Sequence, residues 1–225
     1  IVLRAHNVEH MIWQRIAKSE RNLFKRKYIK HLALTLRAYE CEHLNAYDGV
    51  LSITETDAQT LREMGCRKPI AAVPFGIMAE GAPQVEEEPN TLFHIGSMDW
   101  MPNQEGIRWF LDKVWPSVHS RMPQLTLYLA GRKMPDDLMQ LEMPGVRVVG
   151  EVPDAMYFIA SKQINVVPLL SGSGIRVKII EAMSAGKTVI ATSVGAEGIG
   201  YTDGKNLLIA DTPQQFVEQI QRCAE

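Results

Sequence analysis

The sequence predicts an α/β protein with two parallel-sheet layers, and three observations predict it. Short β-branched runs alternate with helix-length amphipathic segments along the chain, and strands alternating with helices build parallel, doubly wound sheets. An acidic stretch rich in Gly and Pro, residues 79–90, has linker composition and separates two such series. Several of the strands end in glycine, at Gly96, Gly131 and Gly150, and one runs into Ser171-Gly172-Ser173-Gly174. In such sheets ligands bind outside the carboxyl ends of the strands.

In the first series, residues 1–5 read as a strand. A long helical pattern follows, with Ile12, Ile16, Phe24, Tyr28, Leu32, Leu36 and Tyr39 at helical spacing and a slip near Glu20. That stripe is expected to pack on the sheet. Residues 50–54 form a strand, Thr54 or Thr56 caps a helix that Gly65 closes, and 70–74 form another strand. In the second series strands are expected at 92–95, 125–130, 146–149, 164–169, 188–192 and 206–209. Helices are expected at 104–114, 136–141, 154–161, 175–185 and 212–224. The domains are therefore 1–78 and 91–225 about a linker at 79–90. The chain opens on Ile1-Val2-Leu3 and reads as a piece that begins inside its first domain.

Of the 225 residues, 46% are hydrophobic and 22% charged, which argues against intrinsic disorder. Three cysteines without a pairing pattern argue against a disulfide framework and favour a reducing compartment. No apolar run reaches the roughly 18 residues needed to span a bilayer. Charge is uneven: residues 1–47 carry a net +5 and the remainder −7. Most of the positive excess lies between Arg15 and Lys30. It reads as a solvated helix face or as a surface for a membrane or other acidic partner.

The stretch with most chemistry is Ser171-Gly172-Ser173-Gly174-Ile175-Arg176-Val177-Lys178 through Glu181, which follows an apolar strand and opens a helix. A helix start presents unpaired N–H groups and partial positive charge to an anion. Arg176 and Lys178 oppose the helix dipole there, so a polyanionic ligand is the better reason for them. Glu181 is placed to accept hydrogen bonds from a ribose or to pair with Lys178. Two near-misses fail. Gly172-Ser173-Gly174 lacks the third glycine of a dinucleotide fingerprint, and Ala185-Gly186-Lys187-Thr188 carries Glu181 where a P-loop needs glycine. His6 and His10 stand four apart, but no third metal ligand is evident. A polar cluster at the strand end is the reading adopted.

Taken together, several runs resemble the donor domain of retaining GT-B glycosyltransferases of family 4. They are Gly96 through Asn103, Gly150-Glu151-Val152-Pro153-Asp154, Pro168 through Glu181, Gly186 through Thr192 and Gly195-Ala196-Glu197-Gly198. Residues 1–78 resemble the end of the partner acceptor domain, with its Arg4-Ala5-His6-Asn7-Val8-Glu9 segment. The resemblance implies two Rossmann-like domains, the first only partly present. It implies transfer of a sugar from a UDP- or GDP-sugar to an acceptor hydroxyl with retention, without metal or cofactor. Arg176 and Lys178 would stabilise the leaving diphosphate. Gly96, Ser97, Asn103, Gly131, Gly150, Glu151, Val152, Ser173, Gly174, Ile175 and Glu181 would line the donor site, and His6 the acceptor side. Ser173 stands where the family's first motif Glu belongs, as in a Gly-Ser-Gly-x-Arg-x-Lys subgroup. The partners implied are a nucleotide sugar and a glycan or lipid-linked acceptor, not nucleic acid. The setting expected is polysaccharide or glycolipid synthesis in the cytoplasm, with peripheral contact at the inner membrane face. The alternatives are a GT-B-like nucleotide-sugar epimerase and a non-catalytic nucleotide-binding module.

Overall fold

The structure, a computed structural model, describes residues 1–20, 22–77, 83–172 and 174–224. Arg21, part of the linker and Ser173 lie outside them. The chain divides into two compact units. One comprises Ile1–Gly76, Ser171–Ile175 and Glu197–Ile199, and the other Ile77–Leu170, Arg176–Ala196 and Gly200–Glu225.

In the first unit β1 (Val2–Ala5), β2 (Gly49–Ser52) and β3 (Ile70–Ala72) form a parallel sheet in the order β1-β2-β3. Two helices, α1 (Glu9–Ser19) and α2 (Leu23–His43), connect the first two strands. The slip near Glu20 is a complete break. Glu20 is extended, and the Asn22 side chain accepts from Phe24 N and Lys25 N at 3.0 and 3.1 Å to start a new helix. The Glu40 carboxylate of α2 caps α1 in turn, accepting from Glu9 N at 2.8 Å while its other oxygen meets His10 Nδ1 at 2.6 Å. α3 (Glu55–Glu63) starts on Thr54, whose Oγ1 accepts from Asp57 N. It ends in a Schellman turn, with Gly65 at φ +98° and Cys66 N bonded to Leu61 O. Val8, Leu44, Val50 and Leu61 form a small core.

The expected apolar stripe is corrected here. Ile12 and Ile16 are buried, but Phe24 is 89% exposed, Tyr28 68% and Tyr39 59%. The break at Glu20 resets the helical phase. The buried face of α2 then centres on Ala33, and the aromatics point to solvent.

The second unit opens with β4 (Thr91–Ile95), α4 (Met101–Lys113), α5 (Trp115–Arg121), β5 (Thr126–Ala130) and α6 (Asp136–Met139). It continues with β6 (Val146–Gly150), α7 (Ala155–Ala160), β7 (Ile164–Val167), α8 (Val177–Ser184), β8 (Thr188–Ala191), β9 (Leu208–Ile209) and α9 (Pro213–Ala224). All strand pairings are parallel, in the order β6-β5-β4-β7-β8-β9. α5 falls where no helix was expected. Pro116 stops α4 but is tolerated in the first turn of α5, and Trp115 Nε1 ties that turn to Pro144 O at 2.9 Å. The core packs Trp115, Phe110, Phe216, Leu92, Leu127 and Leu129, all nearly inaccessible. Burying each such side chain contributes roughly 1.5–3 kcal/mol.

Candidate functional site

The strand order reverses between β4 and β7, and in an open parallel sheet that reversal makes a crevice at the carboxyl ends. Gly96, Asn103, His94, Arg176 and Lys178, described next, all belong to the second unit.

Gly96 follows β4. A Cβ there would stand 2.8 Å from Lys178 Nζ and 2.9 Å from Asn103 Nδ2, so the missing side chain is the space into which these groups converge. Gly106 lets α4 approach the end of β7, since a Cβ there would meet Pro168 O at 2.4 Å. That approach delivers Asn103, one turn earlier on the same helix. Its Nδ2 donates to Ser97 O at 2.8 Å, and its Oδ1 accepts from Lys178 Nζ at 2.7 Å. The second partner of Lys178 is His94, whose Nε2 lies 3.2 Å from Nζ. His94 Nδ1 sits 2.8 Å from Val166 O on β7 and must donate to it. Nε2 is then an acceptor, which fixes a neutral ring. Burial and the neighbouring Lys178 charge push the His94 pKa well below its usual value.

Lys178 is thus a part-buried amine with neutral hydrogen-bond partners. Desolvation, and secondarily the Arg176 charge, lower its pKa to about 7. Arg176 is 5% exposed, with its guanidinium 5.2 Å from the centre of the Trp100 ring. α8 begins at Val177 with Arg176 as its N-cap residue, two residues later than expected. Lys178 does not pair with Glu181, contrary to the ion-pair alternative. The Glu181 carboxyl is partly buried, and desolvation raises its pKa.

The other glycines have distinct roles. Gly131 takes φ +146°, and a Cβ there would fall 1.8 Å from Gly96 O, so only glycine fits. Its N–H donates to Gly150 O at 2.7 Å, which joins the ends of β5 and β6. The Ser97 hydroxyl donates to Asp99 Oδ1 at 2.6 Å, and Lys133 Nζ reaches Asp99 Oδ2 at 2.7 Å. Those two hydrogen bonds hold the Asp99 pKa at about 2. Glu151 is exposed and Val152 half-buried beyond β6. The Gly186-Lys187 pair is a Schellman turn closing α8, with Lys187 N bonded to Ala182 O at 2.9 Å and the Lys187 side chain paired with Glu87.

Some expected site residues belong to the first unit instead. A Cβ on Gly174 would meet Asn7 Oδ1 at 2.4 Å and His6 O at 2.8 Å. Arg15 donates to Gly172 O and forms a two-pronged ion pair with Glu197, one arm at 2.8 Å. These contacts lie within the first unit. Ile175 lies beside Gly198 in the same unit. Ser173 lies outside the described residues. His6 is exposed, and His10 is buried against Glu40, so the two histidines do not act as a pair. Sequence reasoning missed His94 entirely. A histidine inside the apolar run Leu92-Phe93-His94-Ile95 was the available signal.

Residues 89–225 match the family described as glycosyl transferases group 1. A Klebsiella pneumoniae protein described as an uncharacterized 44.6 kDa protein in cps region is 24% identical over 97% of this chain and 58% of its own length. Anabaena HepE, solved in complex with UDP-glucose, superposes over 100% of this chain and 62% of its own with TM-score 0.71 and 17% identity. S. aureus TarM, solved in complex with UDP, covers 84% of this chain and 39% of its own with TM-score 0.70 and 17% identity. The chain therefore spans 58% of its curated relative and between 39% and 62% of these two solved chains. At such identities the likeness shows the fold, that of GT-B glycosyltransferases. The family match extends over most of the chain, and the chain belongs to the glycosyl transferases group 1.

Proposed function

We propose that the protein transfers a sugar from a nucleoside-diphosphate sugar to an acceptor hydroxyl, with retention and without a metal or other cofactor. The observation that carries this reading is the convergence of Lys178 and Asn103 on the space left by Gly96, at the strand-order reversal. The leaving diphosphate develops charge as the glycosidic bond breaks, and preorganised cations are the direct means of stabilising it. Lys178 and Arg176 supply that charge where other enzymes place a metal ion. Glu181, raised by burial and one turn along α8 from Lys178, gains hydrogen bonds when a ribose diol is present. Gly96, Ser97, Gly131 and Gly150 bring backbone close to the nucleotide, with Glu151 and Val152 beside the base. Ser173, Gly174 and Ile175 complete the donor contacts, and His6 serves the acceptor. Among donors we favour a UDP-sugar, since HepE and TarM were solved with UDP ligands. Polysaccharide synthesis is in keeping with the relative from a cps region.

Turnover of the full-length protein with a panel of UDP- and GDP-sugars, with and without EDTA, tests the reading. Transfer that survives chelation is expected. Absence of transfer or donor hydrolysis with every donor would favour a non-catalytic module.

We further propose that the protein works at an anionic lipid surface from the cytoplasmic side, where it meets a lipid-linked acceptor. The observation here is α2. Leu23, Phe24, Tyr28 and Leu34 are 66%, 89%, 68% and 63% exposed. Lys25, Arg26, Lys27 and Lys30 lie among them, and no acid occurs on the helix before Glu40. No helix among the described residues is long and apolar enough to cross a membrane. A basic helix with exposed aromatics instead lies in the interface. Each cation contributes about 1 kcal/mol near anionic lipid. The exposed rings predict partial insertion, so sedimentation with anionic vesicles should persist in part at high salt and weaken several-fold on Phe24→Glu. Failure to bind anionic vesicles at low salt would assign this face to a protein contact.

A further inference from the structure

Lys178 has an environment that the proposed donor site alone does not explain. Three elements meet at its Nζ. β4 contributes His94, neutral and locked by its bond to Val166 O. α4 contributes the amide oxygen of Asn103 at 2.7 Å. The residue before α8 contributes the cation Arg176. Glu181, on the next turn of α8, is not bonded to Nζ, and among the described residues no carboxylate forms an ion pair with it. Two neutral acceptors orient the amine but do not balance an ammonium, and a neighbouring guanidinium works against one.

We infer that His94 and Asn103 are positioning residues that aim the Lys178 amine at the mouth of the switch-point crevice, and that binding of a nucleoside diphosphate there takes up one proton at Lys178. The inference rests on the donor-site reading above and extends it to the protonation state of the empty site. Without ligand the amine is neutral in a large fraction of molecules at pH 7 and above, because burial and Arg176 lower its pKa to about 7. A bound diphosphate supplies the missing negative charge, raises that pKa and draws a proton from solvent. The sign follows from linkage. Ligand binding is strongest where the lysine is already charged, and it weakens by up to about tenfold per pH unit above the free-site value. Diphosphate release returns the proton, so each turnover ends with the amine reset.

The probes are UDP-glucose and GDP-mannose, whose phosphates do not titrate near neutrality. Calorimetry on the full-length protein in two buffers of different ionisation enthalpy reads proton uptake directly. Uptake should approach one proton at about pH 8 and fall to near zero at about pH 6. Lys178→Arg, which keeps its charge throughout, should bind with pH-independent affinity and no uptake. His94→Leu should shift the fall in affinity to lower pH, and His94→Gln, which retains an acceptor oxygen, should restore it toward the wild-type profile. A merely structural histidine would change stability and leave that profile in place. If His94→Leu does not fold, the comparison of wild type with Lys178→Arg decides alone. Tight binding of either probe without proton uptake at about pH 8 overturns the inference and leaves the donor site intact. Binding of neither probe overturns the donor-site reading and the inference with it.

Discussion

Two lysines of the second unit show how little residue type says about role. Lys162 is 4% exposed, with Glu88 at 2.9 Å and its Nζ 4.4 Å from the Tyr128 ring centre. Its charge is balanced within the protein. Among the described residues no carboxylate forms an ion pair with Lys178, and the folded state bears the cost. Lys178→Met is therefore expected to leave the melting temperature unchanged or raised while weakening UDP-sugar binding by about 2–3 kcal/mol, the scale of a charged hydrogen bond. Lys162→Met, by leaving Glu88 without its partner, should lower the melting temperature. Glu181 follows the same logic as Lys178. Its raised pKa means that the folded protein holds a proton more tightly than the unfolded chain. Stability linked to this carboxyl therefore declines as pH rises through its unfolded value and on through its raised folded value. Glu181→Gln should flatten that decline and weaken nucleotide binding, which thermal melts across pH with and without UDP would show. Gly131→Ala belongs to a different class. With a Cβ 1.8 Å from Gly96 O, it should destabilise by roughly 2–4 kcal/mol through crowding and backbone strain, measured by denaturant unfolding.

At the scale of elements, local signals carried unequal weight. The cap at Thr54 or Thr56, the closing glycine at Gly65, and the strand ends at Gly96, Gly131 and Gly150 were legible because turn chemistry is local. The break between α1 and α2 was legible only as a slip in period, since Asn22 follows Arg21 without proline or glycine to announce it. The consequence for the outward face of α2 could not be read from a stripe extended across the break. α5 was hidden because Trp115-Pro116 looks like an ending. What makes it a beginning is tertiary, the Trp115 bond to Pro144 O and its burial in the core. Glu40 is the other tertiary device. It closes α1 from 31 residues away, so Glu40→Ala should cost about 1–2 kcal/mol in urea unfolding, while Asn22→Ala costs about 1 kcal/mol. A larger loss at Asn22 than at Glu40 would contradict the assignment of caps.

At the scale of the whole molecule, alternation of strands and helices was enough to predict parallel sheets, and the linker composition was enough to suggest two series. Strand order was not legible, because crossover connections leave no mark in local pattern. It is that order, β6-β5-β4-β7-β8-β9, that puts β4 beside β7 and brings Lys178 to the neighbouring His94 and Asn103, from 84 and 75 residues further along the chain. Arg176 and Lys178 stood out in the sequence as cations at the wrong end of a helix. His94 did not stand out, since its function depends on a lysine 84 residues away. The attachment of 171–175 to the first unit was equally hidden, resting on Asn7 and Arg15. The central claim is that the switch-point crevice of the second unit receives the donor diphosphate. A crystal structure of the full-length protein with UDP tests it most directly. The account predicts phosphate oxygens within hydrogen-bonding distance of both Lys178 Nζ and the Arg176 guanidinium, beside the Gly96 backbone. UDP ordered elsewhere, with Lys178 still bonded only to His94 and Asn103, would contradict it.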